Sequence, residues 1–387
     1  LHAPHLNCRC RVSCRRTLLL VSEQMLSLQA MNTDLLLKES YSDPLILERE
    51  KERIFFKTWQ LACHVSQLKN TGDYVCLEIV DQSVFVIRGE DGEMRAFYNV
   101  CQHRAHGLLT GAGNTKSTIV CGYHAWAYGC DGSLKSARHC SGKPDFQAVD
   151  FGLESIRLDV ALGFVFVNLD PMAKSLMETA GAMFDDIQVH VPHWNEVEVS
   201  NEFETVGPDL EANWKVLAEN CLECYHCGPS HKAFCDMIDM DSYECSVHDG
   251  WLRSYGELGK AQNAAYSVAP DEPSQKAIYW HLWPNTELII YPGEAAMTTF
   301  RFYPKGPAKT GTSSLMLLKP GDSIAKERLD YRWNVLWPED ESICLSVHHG
   351  LQSKGYRGGG LVENEDRHAV SEHGVRAFQS FYRKGME

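Results

Sequence analysis

The sequence predicts an α+β protein made of two consecutive domains, and three observations lead there. The chain has 387 residues, more than one core usually serves. Residues 46–170 contain short apolar runs alternating with polar residues, the period of half-buried strands. From Asn213 the apolar spacing lengthens to that of a helix.

Composition narrows the function classes. An apolar fraction of 44% with 23% charged residues is ordinary for a globular protein, and no run of eighteen apolar residues suggests a membrane span. The net charge of −14 argues against a nucleic-acid partner, which needs a basic face, and is compatible with a cationic ligand. Fifteen cysteines are scattered without a regular framework. Free thiols in that number point to a reducing compartment, the cytoplasm.

Taken in order, residues 1–30 form an atypical Arg-rich, nearly acid-free extension. It reads either as a transit-like segment or as translated upstream sequence with the start at Met31 or Met25. The second reading is preferred because MNTDLLLKESYSDP begins ordinary globular sequence, so Cys8, Cys10 and Cys14 are not counted as ligands. Residues 31–45 lead into a helix over Pro44 to Trp59. Strand-like runs follow in TGDYVCLEIV, SVFVIRG, MRAFYNV and DFGLESIRLDVALGFVFVNLD, ending at Asp170-Pro171. Residues 46–170 are thus expected as a compact β module, and 171–387 as the second domain.

Within the β module stand a C-x-H pair, Cys101 and His103, and a C-x2-H pair, Cys121 and His124. Two thiolates and two imidazoles in this order suit a Rieske [2Fe–2S] cluster, with both Cys on one iron and both His on the other. A zinc site is the alternative, but zinc motifs usually pair Cys with Cys and His with His. Gly107, Gly111, Gly129 and Gly132 suit loops that turn tightly and aim N–H groups at sulfur. Tyr123 and Trp126 are candidates to shield the cluster, with plain packing as the alternative.

The second constellation lies in NWKVLAENCLECYHCGPSH. Asn213 is expected to cap a helix that Gly228-Pro229 ends. Glu219, Glu223 and His226 then share one face, and His231 can return towards His226 after the break. Two His and one carboxylate with open positions form the facial triad of non-haem Fe(II) oxygenases.

Together the runs NVCQHRAHGLLTGAG, VCGYHAWAYGCDGSL, NWKVLAENCLECYHCGPSH, WPED, GLQSKGYRGGG and SEHG resemble the catalytic subunits of Rieske-type ring-hydroxylating oxygenases over most of residues 40–387. The likeness is greatest to the subgroup acting on carnitine, stachydrine and glycine betaine. Three positions depart from the wider family: Gly122 where Pro is common, Glu223 where Asp is usual, and His348 where relatives have Gln. The Glu matches the subgroup.

The resemblance implies a small antiparallel Rieske domain and a larger helix-grip-like catalytic domain, an antiparallel sheet covered by helices. It implies a mononuclear Fe(2+) held by His226, His231 and an acid from Trp337-Pro338-Glu339-Asp340-Glu341, of which Asp340 is chosen. Pro338 suits the first turn of a helix there, and His348 and His349 are rival ligands. Glu223 is implied as the catalytic bridge carrying electrons from the Rieske cluster of a neighbouring subunit in a homotrimer. A separate reductase with flavin and a plant-type [2Fe–2S] cluster would supply them from NAD(P)H.

The implied reaction spends O2 on a C–H bond beside nitrogen, turning carnitine or an analogue into trimethylamine and an aldehyde. Tyr279, Trp280, Trp283 and Tyr291, with Phe302 and Tyr303 nearby, are candidates for an aromatic cage around such a cation. They could equally fill a core. Alternatives are N-demethylation of glycine betaine or stachydrine, an aromatic-ring dioxygenase, an electron-transfer ferredoxin, or a zinc-stabilised binding module that is no enzyme. The segment Gly355 to Gly360 is read as a flexible loop, not a phosphate cradle.

Overall fold

The computed structural model describes residues 35–387 except 141–144, 201–206 and 296. The expectations for the first thirty residues, for Met25 and Met31 and for Cys8, Cys10 and Cys14 lie outside the described residues.

Among the described residues, the strands form two seven-stranded antiparallel sheets and one three-stranded sheet. The first large sheet runs in the order Gln60–His64, Phe164–Asn168, Ser155–Ala161, Met94–Tyr98, Gln82–Arg88, Asp73–Ile79, Ala112–Asn114. Val84, Val86, Val165 and Val167 are fully buried along its centre. The small sheet, Thr118–Val120, Ala127–Gly129 and Leu134–Ser136, stands beside it. Both cluster loops fall at strand ends: 101–111 precedes Ala112–Asn114, and 121–126 joins the first two strands of the small sheet. Gly132 turns the last hairpin at φ +81°, where a Cβ would meet the Phe97 ring at 2.4 Å. Only glycine fits there.

The second large sheet orders Glu198–Val199, Lys309–Leu318, Met297–Gly306, Thr286–Ile290, Lys276–Leu282, Trp251–Glu257 and Glu244–His248. The helices, in chain order, are α1 (Pro44–Glu50), α2 (Leu176–His190), α3 (Trp214–Cys221), α4 (Cys227–Ser230), α5 (Lys232–Met237), α6 (Lys326–Tyr331), α7 (Trp337–Leu351) and α8 (His373–Met386). None among the described residues is long and apolar enough to cross a membrane.

Trp214 is the hub of the helical layer. It is fully buried on α3, edge-on to Phe55 at 5.0 Å and to Phe378 of α8 at 5.7 Å. Deleting such a ring costs about 3–5 kcal/mol.

Helix α1 starts as its sequence dictates, Asp43 accepting from the Leu45 amide at 2.8 Å with Pro44 in the first turn. It continues as a π-turn over Lys51–Phe55 and ends short of Trp59. Counted with the β module on sequence grounds, α1 packs against the larger domain. Buried Glu50 accepts from Lys215 Nζ at 2.6 Å, Trp214 Nε1 at 2.8 Å and Tyr382 Oη at 2.7 Å. The two domains also share one core, in which Leu77 and Val84 join Trp214, Phe302 and Phe378.

Candidate active site

The two cluster loops have the same backbone. In the first, the Cys101 amide donates to the His106 carbonyl and the Ala105 amide to the Cys101 carbonyl, both at 2.9 Å. In the second, the Cys121 amide donates to Trp126 at 2.8 Å and the Ala125 amide to Cys121 at 3.0 Å. Ala105 (φ 55°) and Ala125 (φ 58°) are both left-handed, a conformation that costs a Cβ-bearing residue energy and is held here by the matching bonds. Nothing in the sequence marks these alanines.

Cys101 and Cys121 are buried free thiols, while His103 is exposed and His124 half-buried. The His103 and His124 rings lie 4.6 Å apart. Trp126 stacks on His103 at 4.7 Å, and Tyr123 lies over His124 at 3.8 Å. Of the two shielding candidates, Trp126 is buried and Tyr123 is half exposed. The donor set fits a Rieske cluster on a direct observation: His124 Nδ1 is buried and has no hydrogen-bond partner, the condition of a ring nitrogen reserved for metal. Tyr128 Oη lies 3.2 Å from Cys101 Sγ.

The helix that carries the second site is shorter than its sequence reading. Asn213 caps α3 as expected, its side chain accepting from Lys215 N at 3.0 Å. The helix ends at Cys221, before Gly228-Pro229, and those two residues lie inside α4. Pro229 is tolerated there because the first turn of a helix needs no amide from it. Glu223 therefore lies outside α3, and its carboxylate accepts from the His226 amide at 3.1 Å. The same carboxylate accepts from His226 Nδ1.

The expected triad comes together. His226 Nε2 and His231 Nε2 are 3.0 Å apart, and Asp340 Oδ1 is 2.9 Å from His231 Nε2 and 3.4 Å from His226 Nε2. Bonds of about 2.1 Å meeting near a right angle separate neighbouring donors by about 3 Å, so the three atoms fit one face of an iron. The remaining ring nitrogens are fixed by acids: His226 Nδ1 donates to Glu223, and His231 Nδ1 donates to Glu339 at 2.8 Å. This leaves both Nε2 lone pairs facing Asp340. Burial opposes the imidazolium at His226, but hydrogen bonds to Asp340 and Glu223 outweigh it and lift the ring to about 9.

Glu339 was legible only as one of three adjacent acids. The rival ligands are elsewhere: His348 receives the Asn213 amide at 3.4 Å, and His349 is exposed. Pro338 lies in the first turn of α7, but that helix continues a π-turn over Arg332–Leu336 rather than starting afresh. Proline lacks the amide a regular turn would use, and π-turns are frequent at functional sites.

A cavity opens on His226, His231 and Asp340, with Tyr279, Tyr291, Phe300, Trp337, Glu287 and Arg332 in its wall. Tyr279 and Tyr291 are there as expected; Trp280 and Trp283 are not. Successive strand residues point to opposite faces, so Tyr279 faces the cavity and Trp280 the other side, where its Nε1 donates to Asp186 at 2.7 Å. Trp283 packs on Phe378 at 5.2 Å. Phe302 is fully buried in the core, and Tyr303 lies under Arg301 at 4.6 Å. Trp337 opens the WPED run, whereas Phe300, Glu287 and Arg332 carried no sequence signal beyond residue type. Cys224 and Cys227, on either side of His226, form a disulfide with Cα atoms 4.9 Å apart, against the expectation of free thiols. Ten other described cysteines are free. The Gly355 to Gly360 stretch is an exposed loop without regular structure, as expected.

Comparison with known proteins agrees with this geometry. Residues 58–149 match the Rieske [2Fe-2S] domain family, and residues 197–387 match the catalytic domain of ring hydroxylating alpha subunits. The carnitine monooxygenase oxygenase subunit of Escherichia coli (strain K12) is 35% identical over 344 residues, 88% of this chain and 90% of that protein. A solved quaternary ammonium Rieske monooxygenase, studied for carnitine oxidation and inter-subunit electron transfer, is 31% identical with a TM-score of 0.83, covering 90% of this chain and 94% of its own. A crystal structure of such an enzyme in complex with L-carnitine has a TM-score of 0.80 at 31% identity, covering 90% and 95%.

Proposed function

This chain belongs to the Rieske-type ring-hydroxylating oxygenase alpha-subunit family, and from that premise we propose that it oxidises a quaternary ammonium compound beside nitrogen, carnitine or a close analogue. The observation that carries the reading is the triad of His226, His231 and Asp340 opening on a cavity walled by Tyr279, Tyr291 and Phe300. Aromatic faces stabilise a cation that cannot donate hydrogen bonds.

Cys101, His103, Cys121 and His124 would hold the [2Fe–2S] cluster, and His226, His231 and Asp340 the single iron. With both bound, the first supplies one-electron storage and the second a ferrous centre open to O2. Glu223 and Glu339 fix the two imidazoles so that each Nε2 points inward. The aromatic wall orients the substrate and excludes water. Oxygen inserted at the carbon attached to nitrogen gives a hemiaminal, which collapses to trimethylamine and an aldehyde.

Family members work with a separate reductase, here proposed to carry flavin and a plant-type [2Fe–2S] cluster and to draw on NAD(P)H. Glu223 is proposed to link His226 to the cluster of a neighbouring subunit in a homotrimer. Its bond to His226 and the inter-subunit transfer described for the similar monooxygenase support this.

The test is the purified, iron-loaded protein with its reductase, NADH, O2 and carnitine. Trimethylamine release is the expected result. Formaldehyde without trimethylamine would mean N-demethylation and overturn the cleavage reading.

A further inference from the structure

Glu287 occupies the second position of the strand Thr286–Ile290, between His281 and Phe300 on the neighbouring strands. It lines the cavity and is 3% exposed, yet its Oε1 has no hydrogen-bond partner. The nearby His281 Nδ1 is 3.5 Å away and also without a partner. A buried carboxylate oxygen whose nearest donor stands beyond hydrogen-bond length keeps much of its need for a positive charge.

The other charges in the cavity wall are matched. Glu223 meets His226, Asp340 meets both imidazoles, and Arg332 meets Glu294 while lying 3.8 Å from the centre of the Tyr291 ring. Glu287, whose one charged contact is His281 at 3.5 Å and without a hydrogen bond, belongs to the same cavity wall as two edge-to-face aromatic pairs, Tyr279 with Tyr291 at 5.8 Å and Phe300 with Trp337 at 5.7 Å. A ligand with N–H groups could donate to such an acid. A quaternary ammonium cannot donate and is attracted through space by both carboxylate and ring faces.

We propose that Glu287 is the anionic contact for the substrate's quaternary ammonium group, with Tyr279, Tyr291 and Phe300 as the ring faces around it. This rests on the quaternary-ammonium reading of the cavity and adds which residue sets its preference for a positive charge. The similar enzymes' substrates carry that charge on a group no larger than a tert-butyl group, so charge alone can be tested.

The experiment is calorimetric binding of carnitine, and of its analogue with tert-butyl in place of trimethylammonium, which keeps the shape and the carboxylate but lacks the positive charge, to the iron-loaded protein. Native protein is expected to prefer carnitine. Glu287→Gln should weaken carnitine by about tenfold or more and leave the analogue within about twofold. Iron content and the cluster's paramagnetic signal should be unchanged. Glu287→Asp keeps the charge one methylene further back and should retain an intermediate preference, which covers the case of a Gln variant that does not fold. Carnitine binding to Glu287→Gln as tightly as to native protein would overturn the assignment alone. Native protein showing no preference for the cation would overturn the substrate class, and this contact with it.

Discussion

Tyr128→Phe isolates the tuning of the electron-storing site. Tyr128 is fully buried, and its hydroxyl oxygen accepts from the Gln102 amide at 3.1 Å, leaving its proton free to point at Cys101 Sγ 3.2 Å away. Reduction of the cluster adds one negative charge, so a donor to a ligand sulfur stabilises the reduced form more than the oxidised form. A hydrogen bond to a charged group contributes about 1.5–3 kcal/mol. If about half of that distinguishes the two oxidation states, a one-electron couple at 59 mV per tenfold should fall by roughly 30–65 mV. The ring and its packing remain, and Gln102 is exposed, so its amide can turn to water. The assay is a redox titration of native and variant proteins followed by paramagnetic resonance of the reduced cluster. A midpoint that rises, or moves by less than about 10 mV, would refute the reasoning.

The buried pair offers a stability test: Lys215→Met leaves the Glu50 carboxylate without its cation and should cost about 3–5 kcal/mol in urea unfolding, and a loss below about 1 kcal/mol would show the pair is not needed. Burial raises the Glu219 carboxyl from 4.5 to about 7 against hydrogen bonds from Tyr41 and Gln379. The folded chain therefore binds more protons than the unfolded one between those values, so stability should fall as pH climbs through that window and stay reduced above it. Glu219→Gln keeps an acceptor for both donors and should flatten the slope, adding about 1–2 kcal/mol above pH 7; an unchanged slope would count against a raised pKa. Glu223→Gln should keep both metals yet slow reoxidation of the reduced cluster by O2 and substrate by about tenfold or more, and an unchanged single-turnover rate would exclude Glu223 from the electron path.

What the sequence made legible were features fixed by residue type at short range. The Cys/His order around residues 101–124, the Asn213 cap and the pairing of His226 with His231 depend on local spacing. The early end of α3 was not legible, because it depends on Glu223 turning back to the His226 amide in place of a further helical bond. Ala105 and Ala125 carry left-handed backbone that alanine ordinarily avoids, imposed by bonds closing each loop. The aromatic run from Tyr279 to Tyr303 told composition but not face: one strand sends Tyr279 to the cavity and Trp280 to α2. Asp340 and Glu339 are neighbours in sequence with different jobs, one facing both Nε2 atoms and the other holding Nδ1 of His231.

One chain with two iron centres of different kinds has a distinctive metal stoichiometry. The decisive measurement is iron and acid-labile sulfide in native protein, His226→Ala and His103→Ala, with paramagnetic resonance of each after reduction. Native protein should carry about three irons and about two sulfides per chain, His226→Ala about two irons with the cluster signal intact, and His103→Ala neither sulfide nor signal. Zinc in place of iron, or sulfide lost from both variants alike, would contradict the presence of two iron centres.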